Sequence, residues 1–410
     1  MLLNRIWIGM FLIAFVVAMS KLIFWHDIDI FKHLVDALFS AAETGFTIAI
    51  GLTGMLCLWL GIMKIGEDGG AVRLLTKLVS PLFSRLFPEV PKDHPAVGAM
   101  MMNFSANMLG LDNAATPIGL KAMGELQKLN PEKEKASNAQ IMFLVLNTSG
   151  LTIIPVSVFA LLASNGMSSP SSVFLPILMA TFCASIVGLV VVSIKQRINI
   201  LNWVVLSYLG GIALLLGGLL FYIQRHPEQS DVISNIFGNT LIFSIIAGFI
   251  LMAMRKKVNV YESFVEGAKD GFTVAIKIIP YLVAMLAAIA VFRASGSLDA
   301  LLDGVKAAAL FAGIAASEWV DALPIAMMKP LSGSGARGAL QEVINTFGVD
   351  SLQTKIGATM QGSTETTFYV LAVYFGSVGI KNSRYAAGVG LLADAAGLIA
   401  AIIISYIFFS

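Results

Sequence analysis

Long apolar runs, each about as long as a bilayer is thick, dominate this chain. About 20 consecutive apolar residues are typical of a helix that crosses a membrane. The pattern predicts nine spans, at about 4–24, 46–66, 138–163, 172–194, 201–223, 237–255, 271–294, 354–376 and 385–408. The first run could instead be a signal peptide. Its end is a poor cleavage site and apolar residues continue to Trp25, which favours an uncleaved span.

Two further apolar regions, 95–120 and 322–345, are interrupted by glycine, proline and polar residues. Such backbone is tolerated at membrane depth only where protein or water covers it, so both are predicted to be broken or re-entrant helical hairpins. Segments 29–44 and 260–270 mix charged and large apolar side chains, which predicts helices lying in the membrane interface. The predicted fold class is all-α, a polytopic membrane protein.

Part of the pattern occurs twice. Residues 42–50 return as 268–276, an offset of 226 positions, and 147–149 correspond to 361–363, an offset of 214. Each copy also holds one interrupted hairpin and one final span. The chain is therefore predicted to contain a first repeat, a linking span with an outer loop, and a second repeat, at 1–198, 199–236 and 237–410.

The placement of charge predicts how these repeats are oriented. Only 13% of the residues are charged and 57% are hydrophobic, whereas soluble proteins carry about 25% charged residues. Short cytoplasmic loops are enriched in Lys and Arg. The basic loops fall on one side of the membrane only if the two hairpins enter from opposite sides. This predicts inverted-topology repeats, with the N-terminus cytoplasmic and the C-terminus outside.

The stretch 361–367 places an amide, a carboxylate and four hydroxyls at the head of an apolar run. Polar groups at that depth are costly unless they meet one another, water or a ligand. Glu365 lies about 16 Å along its predicted span, near the midplane. It is predicted to bind a cation, to take up a proton, or to form a structural salt bridge. Arg337 is one candidate partner, and a surface position for Arg337 is the alternative.

Polar residues of the first repeat form a second candidate group. Asn, Ser and Thr offer both hydrogen-bond donors and acceptors, which suits a neutral polar solute. The alternatives are a solvated turn at 103–116 and hydrogen bonds between helices at 147–152. The candidate substrate-binding residues of both repeats are Asn103, Ser105, Asn107, Asp112, Asn113, Thr116, Asn147, Ser149, Thr152, Ser332, Ser334, Arg337, Gln361, Ser363, Thr364, Glu365 and Thr366.

Other chemistries find little support in the sequence. Cys57 and Cys183 lie far apart in apolar runs, and the four histidines form no ligand pair at helical spacing, so neither a disulfide nor a metal site is expected. No phosphate loop, G-x-S-x-G or H-E-x-x-H motif occurs. We expect no enzyme activity, no cofactor and no nucleic-acid partner.

Several longer motifs resemble known families. Gly110–Pro117 and Asn147–Ser149 resemble the spore maturation protein A family, whereas Pro330–Gly335, Met360–Thr367 and Val373–Gly376 resemble the spore maturation protein B family. The chain looks like a natural fusion of the two, each covering one repeat. The unmatched span between them is what joining two oppositely oriented partners requires.

This resemblance implies a polytopic protein of the bacterial inner membrane, associated in spore formers with dehydration of the spore core. Both families belong to the wider group with a nucleoside-recognition, or gate, domain, shared in part with concentrative nucleoside transporters. Those transporters show a Gly-Gln-Ser/Thr-Glu order, while this chain has Gln361-Gly-Ser-Thr-Glu365. Nucleoside specificity therefore does not carry over.

The leading functional hypothesis is a transporter that moves a small polar solute between the repeats, coupled to H⁺ or Na⁺ through Glu365 or Asp112. The alternative is a non-transporting scaffold or lipid-facing factor in envelope or spore maturation. An enzyme acting on a lipid-linked substrate is a third and weaker hypothesis. The expected partners are the lipid bilayer, the solute, the coupling ion and, through the unmatched span or the interfacial helices, a second copy of the chain.

Overall fold

A computed structural model describes residues 2–110, 112–225, 230–313 and 317–409. Nearly all of these residues are helical, and within these ranges there is no strand, only a single bridge between Lys135 and Asn382. The predicted all-α class is confirmed. The first half contains α1 (Leu2–Trp25), α2 (Ile30–Gly69), α3 (Ala71–Leu86), α4 (Pro95–Met108), α5 (Asp112–Leu129), α6 (Asn138–Thr148), α7 (Val156–Ser164), a 3-10 turn (Pro170–Val173) and α8 (Phe174–Gln196).

The helices of the second half follow the same order as those of the first. In each half a long helix is followed by an amphipathic helix, a helical hairpin, a helix with a break and a terminal helix. A separate helix, α9 (Trp203–Arg225), precedes the second half. The helices that follow are α10 (Ser230–Arg255), α11 (Val260–Ala294), α12 (Ser297–Phe311), α13 (Glu318–Asp321), α14 (Leu323–Met328), α15 (Gly333–Phe347), α16 (Leu352–Gly362), α17 (Thr367–Ser377) and α18 (Ala386–Phe409).

By length and composition, five helical stretches of the described chain could cross a membrane. They are Trp7–Trp25, Ile30–Gly69, Pro170–Gln196, Trp203–Ile223 and Ala386–Phe409. Large apolar side chains remain exposed on the outer faces of these stretches, as Phe15, Leu214 and Ile403 do. An exposed apolar surface on this scale belongs in lipid. The chain is therefore a multi-pass helical membrane protein.

Two predicted spans, 138–163 and 354–376, are not single helices. The first is interrupted after Thr148, and Pro155, which cannot donate a backbone hydrogen bond, precedes the next helix. The second breaks after Gly362 although it contains no proline. Consecutive Ser and Thr side chains compete for backbone groups and favour such a break.

The predicted separation of interfacial segments from spans is wrong. Segment 29–44 continues into the next span as the 40-residue helix α2, and 260–270 continues into the 35-residue helix α11. No proline lies at either junction, so the hydrogen-bond ladder is not interrupted there. The two long helices then pack along each other, which stabilises them beyond what a bilayer-length segment gains alone.

The helices α2 and α11 run antiparallel in close contact. A side chain added at Gly45 would meet Val283, one at Gly61 would meet Phe264, and one at Gly271 would meet the backbone of Cys57. In these contacts, residue numbers that increase along α2 are paired with residue numbers that decrease along α11. Small residues permit this backbone approach, as in many membrane helix pairs.

The terminal helices of the two halves, α8 and α18, are also antiparallel. The Cβ built on Gly188 lies 3.2 Å from that of Ala393, and the one built on Gly397 lies 3.0 Å from that of Ala184. Corresponding helices of the two halves therefore pack in opposite directions. The broken helices α6/α7 and α16/α17 lie beside this terminal pair, which positions the candidate site.

Loops from the two halves meet at opposite ends of the bundle. At one end Lys381 pairs with Glu134 at 2.6 Å, and the Arg384 guanidinium donates to Asn138. At the other end the Ser168 hydroxyl donates to Asp350 at 3.2 Å. The loops that contain Glu134 and Lys381, which the charge pattern predicts to be cytoplasmic, are therefore held together across the two halves.

Candidate functional site

The breaks in the two broken helices touch each other. The backbone N–H of Glu365 donates to the carbonyl of Thr148 at 2.9 Å. A Cβ added to Gly150 would lie 2.9 Å from the Cγ of Glu365, and the positive φ of +32° at Gly150 also disfavours a side chain. The two polar stretches identified in the sequence are therefore in direct contact. Glu365 itself is half-buried.

Three asparagines and one tyrosine form a hydrogen-bonded cluster next to this contact. Asn107 donates to the side-chain oxygen of Asn147 at 2.7 Å and lies 3.5 Å from that of Asn103. Asn103 donates to the hydroxyl of Tyr374 at 3.2 Å, and that hydroxyl donates to Asn147 at 3.3 Å. We call these four residues the amide cluster. It joins α4 and α6 of the first half to α17 of the second.

The remaining candidates of the first repeat occupy varied positions. Ser105 is buried and its hydroxyl lies 3.4 Å from that of Thr76 on α3. The Ser149 hydroxyl is buried, and Thr152 donates to the carbonyl of Gly150 at 3.2 Å. Thr116 is half-buried in α5. The side chains of Asp112 and Asn113 lie outside the described part of the chain.

In the second hairpin, two predicted ligands have local structural roles. The Ser332 hydroxyl caps α15 by accepting the N–H of Gly335 at 3.0 Å, and Ser334 accepts from the Arg337 guanidinium at 3.1 Å. The hairpin nevertheless reaches the site, because Gln361 donates to the carbonyl of Gly333 at 3.4 Å. A pairing of Arg337 with Glu365 stays a prediction.

The candidates next to Glu365 are almost fully enclosed. Ser363 is 0% exposed and donates to the carbonyl of Met360 at 2.8 Å. Thr364 and Thr366 are buried, and the Thr366 hydroxyl lies 3.0 Å from a Cβ built on Gly333. These side chains face protein, so a solute would reach them only if the breaks or the hairpins move apart.

Two residues that the sequence reasoning missed are central to the site. Tyr374 bridges the amide cluster, and its ring stacks on Phe143 at 5.8 Å between centroids. Asp394 on α18 is 1% exposed and accepts a 2.6 Å hydrogen bond from Thr367. A carboxylate within the apolar run 385–408 was a readable signal, because ionisable residues inside spans are costly and usually functional. Tyr374 lies within the Val373–Gly376 motif, but nothing local in the sequence indicates its role in the site.

Neither of two cavities elsewhere in the protein includes a candidate residue. One is apolar and lies between α1, α11, α12 and α14, lined by Met10, Phe292 and Leu302 among others. The second lies under the α3–α4 connection, near Phe87 and Lys92. Within the described ranges, no group of three or more His, Cys, Asp or Glu is arranged to hold a metal ion.

Comparison with known proteins assigns the family. Spore maturation protein B of Bacillus subtilis strain 168 is 50% identical over 165 residues, covering 40% of this chain and 90% of that protein. Spore maturation protein A of the same organism is 36% identical over 190 residues, 46% of this chain and 93% of that protein. The two matches cover different parts of the chain. The chain belongs to the spore maturation protein A and B family.

The family assignment is consistent with a fusion of the two proteins, as the motifs predicted. The Gate family profile, described as nucleoside recognition, matches residues 49–184. This range extends from α2 to α8 and contains the three asparagines of the amide cluster. No solved structure matches the chain at a significant level.

Proposed function

We propose that this spore maturation family protein is a transporter that moves a small polar solute through the contact between its two broken helices. The observation that carries the proposal is the amide cluster. It is a set of neutral donors and acceptors, all buried except the half-buried Asn107, at the junction of the two halves next to Glu365. Amide and hydroxyl groups can exchange bonds among themselves for bonds to a neutral polar solute at little cost.

The antiparallel packing of α2 with α11 and of α8 with α18 supports an inverted-repeat arrangement in the membrane. Many secondary transporters place their sites at the interface of such repeats, between discontinuous helices. In this proposal the described arrangement, with the breaks in contact, is a closed state. The protein lies in the bacterial inner membrane with a cytoplasmic N-terminus and an external C-terminus, and it carries out no covalent chemistry.

The Gate description makes nucleosides the first solutes to test, although the Gln361-Gly-Ser-Thr-Glu365 order differs from that of nucleoside transporters. Purified protein would be screened by thermal shift against uridine, adenosine, neutral amino acids and dicarboxylates. A hit would then be followed by uptake of the radiolabelled compound into proteoliposomes. Glu365→Gln is expected to abolish binding or uptake while leaving the unfolding temperature within a few degrees of the wild type.

Glu134→Gln is the matched control, because Glu134 is a loop carboxylate paired with Lys381 far from the helix breaks. It should keep full binding. Unchanged uptake by Glu365→Gln would contradict the assigned role of this carboxylate. If no compound binds and Glu365→Gln does not fold, the second candidate function gains.

That second candidate is a non-transporting membrane scaffold. It is favoured by the internal bonding of the amide cluster, in which each asparagine already has at least one side-chain partner. A polar cluster that is hydrogen-bonded internally can have the sole role of fixing the relative position of the two halves. Substitutions in the cluster would then change stability and leave all solute responses at zero.

A further inference from the structure

One face of α18 brings a buried carboxylate against both helix breaks. Gly390, Asp394 and Gly397 are spaced four and three residues apart, so they share that face. A Cβ on Gly390 would lie 2.8 Å from the methyl group of Thr367 and 3.3 Å from that of Thr148. A Cβ on Gly397 would lie 2.8 Å from the methyl group of Thr364. The two glycines thus allow both breaks to approach α18 at Gly390 and the second break to approach it at Gly397, with Asp394 between the two positions.

The oxygens around Asp394 are only partly used by the protein. One carboxylate oxygen accepts the Thr367 hydroxyl at 2.6 Å. The other, Oδ1, is buried and accepts no hydrogen bond from the described residues. The hydroxyls of Thr148 and Ser149 are likewise buried without a regular hydrogen bond in the described chain. Thr364 also acts on the Asp394 carboxylate, at a geometry short of a regular hydrogen bond.

Buried oxygens without hydrogen-bond partners destabilise the folded protein unless a ligand binds to them. Leaving a buried polar group unsatisfied costs about 1–3 kcal/mol, and more for a charged one. At membrane depth an ionisable side chain is itself a functional-site hypothesis. Oxygen-only ligands of this kind, a carboxylate with neutral hydroxyls, are those that bind hard cations.

The local charges also favour a cation, and specifically a monovalent one. Helix α6 ends at Thr148 and helix α16 at Gly362, and the C-terminal end of a helix carries partial negative charge. The charged side chains that act on Asp394 are Lys329 and Glu365. When both carboxylates are ionised, they and the one ammonium leave a net charge of −1 across these described groups, which one monovalent ion would balance.

We propose that Asp394, Thr364, Thr367 and the C-terminal ends of α6 and α16 form a binding site for a monovalent metal cation of the Na⁺ class. Ends of discontinuous helices bind Na⁺ in this way in other transporters. A role of this cation in coupling rests on the proposed transport function. Binding of the cation to the protein does not depend on that function. The site differs from Glu365 and Asp112, the residues that the sequence suggested for coupling.

The Thr367 hydrogen bond offers a purely structural account of Asp394. Thr367 is the first residue of α17, and a carboxylate is stabilised at a helix N-terminus. In that account the second carboxylate oxygen of Asp394, Oδ1, has no role, and Na⁺ would not change the unfolding temperature of the protein. The two accounts therefore differ in a measurable quantity.

The test measures the unfolding temperature of the purified full chain in NaCl, against N-methyl-D-glucamine chloride at the same ionic strength and with no solute present. Binding of ²²Na⁺ by scintillation proximity supplies the affinity. Na⁺ is expected to raise the unfolding temperature of the wild type in a saturable manner. Asp394→Asn should abolish the Na⁺-dependent rise and ²²Na⁺ binding. Thr364→Val, which removes one neutral oxygen, should weaken Na⁺ binding about tenfold.

The matched control is Asp321→Asn, since Asp321 is also a buried carboxylate but pairs with Lys306 at 2.8 Å on other helices. It should keep the Na⁺ response. An equal response to Na⁺ in the wild type, Asp394→Asn and Thr364→Val would overturn the proposal. The proposal would also be overturned if lowering the pH raised the unfolding temperature while Na⁺ had no effect at any pH. Asp394 would then be a proton site. Should Asp394→Asn fail to fold, Thr364→Val decides. Na⁺ binding without any solute response would retain this site and refute transport.

Discussion

The close antiparallel contact of α2 and α11 can be tested at Gly271. A Cβ added there would lie 2.6 Å from the backbone nitrogen of Cys57, while ordinary van der Waals contact begins at 3.4 Å. The obstacle is backbone, which cannot rotate away as a side chain can. A larger residue must therefore push the two longest helices of the protein apart by at least 0.8 Å at this point.

Gly271→Leu is expected to destabilise the protein by about 2 kcal/mol. Overpacking of a close contact costs up to about 3 kcal/mol, and the better helix propensity of leucine returns about 0.8 kcal/mol. Gly248→Leu is the matched control, because Gly248 lies in the helical segment α10 and no atom lies within 4 Å of its built Cβ. That variant should be as stable as the wild type or slightly more stable.

The assay is denaturant unfolding of the two variants in mixed micelles, followed by tryptophan fluorescence. The difference between the variants isolates packing, because both replace a helical glycine by the same residue. If Gly271→Leu unfolds at the same denaturant concentration as Gly248→Leu, the two helices do not approach as closely as described. The antiparallel pairing that supports the inverted-repeat proposal would then lose its main contact.

Two further predictions concern the amide cluster and the orientation of the chain. In double-mutant cycles, Asn107→Ala with Asn147→Ala should show coupling of about 1.7 kcal/mol, and Asn147→Ala with Tyr374→Phe only about 0.6 kcal/mol. The reason is that the first hydrogen bond measures 2.7 Å and the second 3.3 Å, and the reverse order would contradict this geometry. In a variant without native cysteines, Asp350→Cys should react with an impermeant maleimide added outside whole cells, and Lys381→Cys should not. Labelling of both positions, or of Lys381→Cys alone, would refute the proposed topology.

The site illustrates where reasoning from sequence succeeds and where it stops. The stretches at 147–149 and 361–366 were identified because polar residues at the head of an apolar run are unusual, and the structure places them in contact. Tyr374 was missed because a tyrosine in an apolar helix is ordinary until its partners are known. Those partners, Asn103 and Asn147, are 271 and 227 residues away. Asp394 was missed although its charge within a span could have been noticed.

By itself the sequence determined the helical class, the membrane location, the family and the polar stretches. These depend on hydropathy, charge and motifs, which are properties of short segments and do not need knowledge of their neighbours. The tertiary structure decided that the interfacial segments continue into α2 and α11, that corresponding helices of the two halves run antiparallel, and that Asp394 meets both breaks. Each of these depends on contacts between residues far apart in the chain. Packing energy, which local composition does not encode, selects among the arrangements that hydropathy permits.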